Sequence, residues 1–290
     1  MVVKDKEKCV VMFSGGLDSR LAIKLMQEKG FEVLAVYFHL PFGEGCCNKG
    51  CSFNFAQLQG VELKIIDCSK GKLLQEYLDV VKKAAHGTGA GVNPCVDCRI
   101  FMFKKGKEIA DKKSIKFVVT GEVLDQRPMS QRKKQMEIIE KETDLAGRII
   151  RPLCDLGFCG RRRVNQMELA KKFNIKYPEP AGGCLLCEKE LKKRLGYLLK
   201  RGMNDEEVSL VGIGRHFLID ERWVVLGRNH VENLIIENFK GAIVPKELGP
   251  SVVVLDKCNG GVDKKVSELV FAYSKKGSLK ERKTFEKYRL

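Results

Sequence analysis

The chain has 290 residues, of which 44% are hydrophobic and 31% charged, and its 53 Lys and Arg against 37 Asp and Glu give a formal charge of +16. This composition is typical of a folded globular protein and excludes collagen-like and fully disordered chains. The longest uncharged stretch, residues 84–96, has 13 residues and contains Gly and Pro. It is therefore shorter than the roughly 18 apolar residues of a membrane-spanning helix, and we expect no membrane association.

In the first half of the chain, short apolar runs alternate with helical patterns. The predicted strands are residues 9–13, 33–38, 61–66, 117–119 and 148–153, and the predicted helices are residues 18–29, 73–85 and 100–112. Strands separated by helices are typical of a parallel sheet that is covered on both faces. We therefore predict an α/β fold with a doubly wound parallel sheet, whose ligand site lies at the carboxyl ends of the strands.

The second part of the chain has a different pattern. The predicted helices are residues 164–173 and 188–201 and two that begin near residues 230 and 262, and the predicted strands are residues 208–213, 223–226 and 252–255. We predict two domains, residues 1–187 and residues 188–290, of which the second is a small α+β domain. The basic excess is larger in the second part, with 26 Lys and Arg against 20 Asp and Glu over residues 1–160 and 27 against 17 over residues 161–290.

The 12 Cys are best explained by a reducing compartment. The start of the chain, MVVKDKEK before a short apolar run, does not have the pattern of a secretory signal. We therefore expect a cytoplasmic protein whose thiols stay free, bind metal or react. The basic excess favours a polyanionic partner, with nucleic acid preferred over other polyanions.

A glycine-containing loop follows the first predicted strand and precedes the first predicted helix. It comprises Ser14, Gly15, Gly16, Leu17, Asp18 and Ser19. The two glycines allow a tight turn, and the backbone N–H groups at the start of the helix suit a phosphate or pyrophosphate. Asp18 would be repelled by phosphate unless it binds Mg²⁺ or caps the helix. The loop has neither the Lys of the GxxxxGK pattern nor the GxGxxG pattern, so it predicts neither a mononucleotide P-loop nor a dinucleotide site.

Two CxxC pairs form the second group of candidate residues. Cys95 and Cys98 lie at the start of a predicted helix, and Cys184 and Cys187 follow about 85 residues later. Four such thiols could hold a structural zinc, three could hold an iron–sulfur cluster, and a dithiol could cycle between persulfide and disulfide. The spacing does not separate these alternatives, because zinc and iron–sulfur clusters share thiolate ligands. Cys46, Cys47 and Cys51 form a further group, either a base or metal site or an ordinary surface loop.

These motifs carry a resemblance to a known family. The SGGLDS loop, residues 14–19, resembles the loop of the PP-loop ATP pyrophosphatases, which have the adenine nucleotide alpha hydrolase-like fold. NPCVDCR, residues 93–99, followed by a helix and VVTGE resembles the tRNA thiouridine synthetases of that superfamily. HGTGAGVNPC, GEVLDQRPMSQ and PAGGCLLC are similar to a tRNA thiouridylate-modifying PP-loop branch over about residues 8–187.

The resemblance implies a set of site residues and cofactors. It implies that ATP and Mg²⁺ bind at Ser14, Gly15, Gly16, Asp18, Ser19, His39 and Gly121. It implies that Cys98 is the essential cysteine and that Cys95, Cys98 and Cys184 hold a 4Fe-4S cluster whose fourth iron carries sulfide. Asp18, Cys98 and Cys184 are then the catalytic residues. Glu122 stands where the family commonly has His, and Cys187 has no required part in a three-cysteine scheme, which leaves the four-sulfur zinc site open.

Clusters of basic residues predict contacts with RNA phosphates. The candidates are Arg127, Arg132, Lys133, Arg161, Arg162, Arg163, Lys192, Lys193 and Arg194. The GRNxxxN pattern at residues 227–233 resembles the small RNA-binding module of the NFACT proteins.

The expected function is that of an ATP-dependent tRNA sulfurtransferase. It would adenylate a base, for which uridine is the first choice, and replace its oxygen with sulfur from sulfide or a persulfide carrier, with a homodimer as one option for its assembly. One alternative is an adenylating ligase or amidating enzyme that acts on RNA and has a structural zinc. The other is a non-catalytic, redox-sensitive RNA-binding protein that depends on ATP.

Overall fold

The structure is a computed structural model, and it describes residues 6–43, 49–179, 183–245, 248–256 and 264–290. Cys46 and Cys47 of the loop group lie outside these ranges. The chain divides into two compact units, Met1–Lys189 and Glu190–Leu290, and each is described by itself. Within the described ranges, no helix has the length and apolar character needed to cross a membrane.

The first unit contains a five-stranded parallel sheet in the order β3-β2-β1-β4-β5. Its strands are β1 Lys8–Phe13, β2 Glu32–His39, β3 Glu62–Asp67, β4 Phe117–Thr120 and β5 Ile149–Ile150. Its helices are α1 Leu17–Glu28, α2 Lys49–Leu58, α3 Gly71–Lys83, α4 Cys95–Lys112, α5 Lys133–Glu142, α6 Pro152–Asp155 and α7 Val164–Lys172. The order reverses at β1, so the loops after β1 and β4 lie side by side at the carboxyl edge, where ligands bind in folds of this kind.

Helices cover both faces of this sheet. Cys9, Val11 and Phe13 of β1 are buried against one hydrophobic cluster, which includes residues of α1 and α7. Val10, between them in sequence, is buried in a second cluster with residues of α4 and α5. Alternate residues of a strand point to opposite faces, so the near-continuous apolar sequence of β1 fits a strand that is buried on both sides. The prediction of a doubly wound parallel sheet is confirmed.

The second unit contains a three-stranded antiparallel sheet in the order β6-β7-β8. Its strands are β6 Arg215–Ile219, β7 Arg222–Leu226 and β8 Val252–Leu255, and its helices are α8 Lys192–Arg201, α9 His230–Glu237, α10 Lys264–Tyr273 and α11 Leu279–Phe285. The predicted small α+β region is confirmed in its class. The strand predicted at residues 208–213 is wrong, because the start of this apolar run forms a 3-10 turn, Glu207–Leu210. The side-chain oxygen of Asn204 accepts hydrogen bonds from the backbone N–H groups of Glu206 and Glu207, where this turn begins.

The GRNxxxN pattern shapes the connection from β7 to α9. The Asn229 side chain caps α9 by accepting the backbone N–H of Glu232 at 3.0 Å. A Cβ on Gly227 would lie 2.0 Å from Oδ1 of Asn233, so this position has no room for a side chain. Arg228 forms an ion pair with Glu232. These contacts give the pattern a structural explanation within the second unit.

His216 and Trp223 form a polar pair inside the core of the second unit. Nε1 of Trp223 donates to Nδ1 of His216 at 2.9 Å, and Nε2 of His216 donates to the carbonyl of Ile213 at 2.7 Å. Both side chains are fully buried. Burial lowers the pKa of His216 to about 3, since a buried charge loses its hydration.

We expect the free energy of unfolding of the second unit to fall as the pH drops from 6.5, the ordinary pKa of His, toward 3. In that window the unfolded chain binds a proton at His216 that the folded chain excludes, which costs up to about 1.4 kcal/mol per pH unit. Urea unfolding of the full chain at several pH values, followed by fluorescence of the single Trp, measures this. His216→Gln should reduce the pH dependence, whereas the same change at exposed His230 should preserve it. Equal slopes in the two variants would contradict the assignment.

Candidate functional site

The loop between β1 and α1 is held by its own two serines. The backbone N–H and the hydroxyl of Ser14 lie 3.3 and 3.2 Å from Oγ of Ser19, which itself donates to the carbonyl of Gly16 at 2.9 Å. Gly15 has a φ of +78°, in the left-handed region that favours glycine. No side chain caps α1, whose first N–H groups lack partners within the helix. The loop therefore presents a helix N-terminus, which suits an anionic group.

Asp18 lies in the first turn of α1 and is the acidic residue of this loop. Its Oδ2 accepts a hydrogen bond from Nε2 of Gln126 at 3.1 Å. Its Oδ1 is buried and has no hydrogen-bond partner among the described residues. Burial raises the pKa of Asp18, while the charges of Arg163 and Arg127 lower it. A buried carboxylate oxygen without a partner fits an oxygen-seeking cation such as Mg²⁺.

Two of the arginines predicted to contact RNA, Arg127 and Arg163, also act on the phosphate-type loop. Their charges lower the pKa of the Asp18 carboxyl group, and their contact with RNA stays a prediction. Nε of Arg163 is buried without a hydrogen-bond partner in the described part of the chain. Guanidinium groups are well suited to phosphate oxygens. The structure therefore brings these two arginines to the phosphate-type loop.

Gly121, at the end of β4, packs directly against the start of α1. A Cβ at this position would lie 2.6 Å from the carbonyl oxygen of Asp18 and 2.6 Å from the backbone nitrogen of Ser19. Glycine is therefore required for the two loops to approach this closely. His39, the last residue of β2, lies opposite Asp67 of β3 at the same edge of the sheet.

Arg20 connects the loop by hydrogen bonds to a distant segment of the first unit. Its Nε donates to the carbonyl of Gly15 at 2.7 Å, and its Nη1 donates to the carbonyl of Lys176 at 2.8 Å. Its guanidinium also lies 4.5 Å from the ring centroid of Phe55. These contacts fix the orientation of the Gly15 peptide in the loop.

Glu122, which replaces the His common in the resembling family, is the centre of an ion-pair network. Its side chain is 2% exposed, and its carboxylate accepts from Nη1 of Arg99 and Nε of Arg151, both at 2.8 Å. The hydroxyl of Thr120 donates to it at 3.1 Å. Arg151 also pairs with Glu140. The network joins the first turn of α4 to the end of β4 and to α5.

The two CxxC pairs lie in one region of the first unit. Cys95 begins α4, and Cys184 precedes a 3-10 turn, Leu185–Cys187. The backbone N–H of Val92, just before α4, donates to the carbonyl of Leu186 at 2.9 Å. This backbone contact places the second pair beside the helix that carries the first.

The sulfur atoms influence one another electrostatically. The pKa of Cys98 is raised to about 12, chiefly by burial and to a lesser extent by the charges of Cys184 and Cys95, against the lowering effect of a hydrogen bond with Tyr77. Burial likewise raises the pKa of Cys184 to about 12, with Cys187 and Cys95 adding to the effect. Thiolates packed this closely repel each other, so a bound cation would be needed to hold several of them deprotonated.

This donor set fits a thiophilic metal or an iron–sulfur cluster in its chemistry. Within the described ranges, no group of three or more His, Cys, Asp or Glu side chains is arranged so that it could hold a metal ion. The site predicted at Cys95, Cys98 and Cys184 therefore stays a prediction, and so does the part of Cys187, which is exposed.

The basic residues predicted to contact RNA differ in exposure. The exposed ones are Arg127, Arg132, Lys133, Arg161, Arg162, Lys192 and Lys193. Arg194 is 8% exposed, and its Nη1 donates to the carbonyl of Val211 at 3.0 Å. Burial lowers its pKa to about 10. We correct the sequence prediction on this point, because a buried guanidinium that supports the fold of the second unit is not available to RNA.

Sequence reasoning missed three residues that contact the site. Tyr77 lies 3.4 Å from Sγ of Cys98, Nδ2 of Asn93 donates to Sγ of Cys95 at 3.2 Å, and Arg99 reaches Glu122. Asn93 and Arg99 lie within the NPCVDCR motif, so their position in the sequence could have identified them as site residues. Tyr77 gives none, because an apolar residue on an amphipathic helix is indistinguishable from an ordinary core residue.

Comparisons with known proteins give one family model and several partial relatives. The family model described as thiamine biosynthesis protein (ThiI) matches residues 4–174, more than half of the chain. A probable tRNA sulfurtransferase of Thermococcus kodakarensis is 33% identical over 153 residues, covering 51% of this chain and 37% of that protein. The tRNA-specific 2-thiouridylase MnmA of a Nitratiruptor species is 31% identical over 125 residues, covering 40% and 34%.

The similarity to these relatives is partial. The chain spans about a third of the length of the curated relatives it matches. Among solved structures, a 4-thiouridine synthetase in complex with RNA and ATP has a TM-score of 0.44 and 18% identity, covering 86% of this chain and 55% of that one.

Proposed function

This chain belongs to the thiamine biosynthesis protein (ThiI) family, and from that membership we propose that it is an ATP-dependent tRNA sulfurtransferase. It adenylates a tRNA base, for which uridine is our choice, and replaces the base oxygen with sulfur. The observation that carries the proposal is the juxtaposition of the two candidate sites. The backbone N–H of Leu185, next to Cys184, donates to the carbonyl of Phe42 at 2.8 Å, and Phe42 follows the carboxyl end of β2. This contact supports a position of the second CxxC pair at the edge of the sheet to which the phosphate-type loop also belongs.

The loop and its neighbours account for the adenylation half of the proposal. The backbone N–H groups at the start of α1 and the hydroxyls of Ser14 and Ser19 bind the phosphates of ATP. Mg²⁺ held at Asp18 would offset negative charge on the pyrophosphate that leaves. Arg127 and Arg163 lie beside Asp18 and add positive charge where the α-phosphorus is attacked by the base oxygen. Adenylation converts that oxygen into part of a good leaving group, AMP.

The thiols account for the sulfur half. Cys95, Cys98 and Cys184 would hold a 4Fe-4S cluster, which supplies a site from which sulfide reaches the activated base and displaces AMP. The chain's own contacts prepare the sulfurs for this: the Asn93 amide donates to Cys95 at 3.2 Å. Cys98 and Cys184 are half-buried, which reduces their contact with solvent. The donor is sulfide, or a persulfide carrier together with a thiol that is oxidised to a disulfide as the sulfide is released.

Exposed basic residues account for the binding of tRNA in the proposal. Arg132, Lys133, Arg161 and Arg162 are exposed on loops and helix ends of the unit that carries both candidate sites. They would contact tRNA phosphates and hold the target base at the loop. Because such contacts release counterions, tRNA binding should weaken as the salt concentration rises.

Pyrophosphate release from ATP in the presence of tRNA and Mg²⁺ tests the adenylation step. Asp18→Asn keeps the shape of the side chain but removes its charge, so we expect the release rate to fall by about 10²–10³-fold, as for loss of one transition-state contact. Asp79→Asn is the matched control, because Asp79 is an exposed carboxylate of α3 to which we assign no part in the reaction. Equal rates for the two variants would contradict the assignment of Asp18.

A further inference from the structure

Tyr77 of α3 is a buried aromatic residue whose hydroxyl group points at a thiol. The residue is 1% exposed. Its ring lies between those of Phe42 and Phe101, with centroid distances of 6.3 and 5.7 Å. Its hydroxyl oxygen lies 3.4 Å from Sγ of Cys98. A buried hydroxyl without a partner is costly, so the sulfur of Cys98 satisfies a group that the aromatic packing alone would leave unpaired.

The packing itself does not need this hydroxyl. Both aromatic neighbours of Tyr77 are phenylalanines, and a third ring of the same shape would fill the space equally well. Among the described residues, the phenol oxygen makes one hydrogen-bonding contact, to Cys98. A tyrosine phenol carries its proton at neutral pH and can donate a hydrogen bond to sulfur.

The hydrogen bond from Tyr77 affects the charge and the orientation of the Cys98 sulfur. Cys95 and Cys98 lie three residues apart at the start of α4 and are therefore neighbours on the helix surface, so negative charge on one sulfur would oppose negative charge on the other. A hydrogen bond to a sulfur that carries negative charge withdraws electron density from it and fixes its orientation. Asn93 does the same for the neighbouring sulfur of Cys95.

We propose that Tyr77 is a positioning residue of the thiol site, which donates its hydroxyl hydrogen to Cys98 and thereby sets the direction and donor strength of that sulfur. The proposal rests on the proposed function, because it takes Cys98 as a metal or cluster ligand. Hydrogen bonds to ligating sulfurs tune the electronic properties of the group they hold. Tyr77 would thus act on sulfur transfer without touching ATP or RNA.

Cobalt(II) is a suitable probe, because its thiolate charge-transfer absorption reports directly on the donor strength of the sulfurs and does not require the native group. In the full-length protein loaded with Co²⁺, Tyr77→Phe should shift this band to longer wavelength, since the sulfur loses a hydrogen bond. Tyr177→Phe is the matched control, because Tyr177 packs against the hydrophobic cluster of α1 and α7. The cobalt–thiolate band of this variant should coincide with that of the wild type.

A second substitution distinguishes a change in the hydrogen bond from a change in side-chain packing. Difluorotyrosine at position 77 keeps the ring and strengthens the donor, so the band should move to shorter wavelength. An unshifted band in Tyr77→Phe, or shifts in the same direction for both substitutions, would overturn the proposal, as would the absence of cobalt–thiolate absorption in the wild type. Thionucleoside formation by the wild type is measured separately. Its absence together with opposite shifts would refute the proposed function and leave the assignment of Tyr77 standing.

Discussion

Cys98→Ser is expected to abolish thionucleoside formation, to below roughly one-thousandth of the wild-type rate, as for loss of an essential nucleophile or ligand. A serine hydroxyl is a hard, weakly acidic group that neither binds soft metals nor carries sulfur. ATP binding should persist, because the loop at residues 14–19 is formed by different residues. The measurements are mass spectrometry of tRNA nucleosides after reaction with ATP and a sulfur source, and equilibrium binding of ATP.

The control for this prediction is Cys159→Ser. Cys159 is an exposed thiol of the same unit, it pairs through its backbone with Leu124, and we assign it no part in the reaction. Its replacement should leave thiolation unchanged. Full activity in Cys98→Ser, or equal losses in both variants, would refute the role assigned to Cys98.

Glu122→Gln is expected to have the largest effect on stability, about 3–5 kcal/mol, because breaking a buried ion pair leaves uncompensated charges. Two guanidinium groups, those of Arg99 and Arg151, would lose their shared counter-charge. The amide keeps the shape of the side chain, so the loss reports on charge and hydrogen bonding. Urea unfolding followed by far-UV circular dichroism measures the change.

Glu140→Gln is the matched control for this network. In the described part of the chain, Glu140 forms an ion pair with Arg151 alone, and its side chain is 28% exposed, so solvent weakens the interaction. We expect a loss of about 1 kcal/mol or less, in the range of partly exposed pairs. A change of similar size in both variants would indicate that Glu122 is not the centre of the network, and the explanation of its place in the fold would have to be abandoned.

The sequence was sufficient to predict the fold of the first unit, for physical reasons that its residues make clear. The run before Ser14 is apolar on both faces, which only a central strand of a covered sheet requires. The glycine loop marks where that strand ends and α1 begins. The resemblance also pointed to both CxxC pairs, and the structure places them in one region through the backbone contact between Val92 and Leu186.

Other features could not be predicted, because they depend on tertiary contacts. Arg127 and Arg163 were grouped with RNA-binding residues from local charge, and the sequence did not show that their charges also act on Asp18. Arg194 was taken for part of a solvated basic helix face. It lies in fact on the buried stripe of α8 with Leu195 and Leu198, where its guanidinium reaches a backbone carbonyl.

The second unit was predicted less well at its first strand. The apolar run at residues 208–213 predicts a strand, but Gly212 lies within it, and Gly214, which follows it directly, has a φ of +75°. A positive φ is incompatible with an extended strand. The strand β6 therefore begins only at Arg215, after the turn is complete.

Nucleoside mass spectrometry of total tRNA, from cells that carry the gene and from matched cells that lack it, tests the central claim most directly. The proposal predicts a thionucleoside that is present in the first sample and absent from the second. It should be restored by the wild-type chain but not by Cys98→Ser. Identical nucleoside profiles, or a difference in a nucleoside that contains no sulfur, would contradict sulfur transfer to tRNA as the function of this protein.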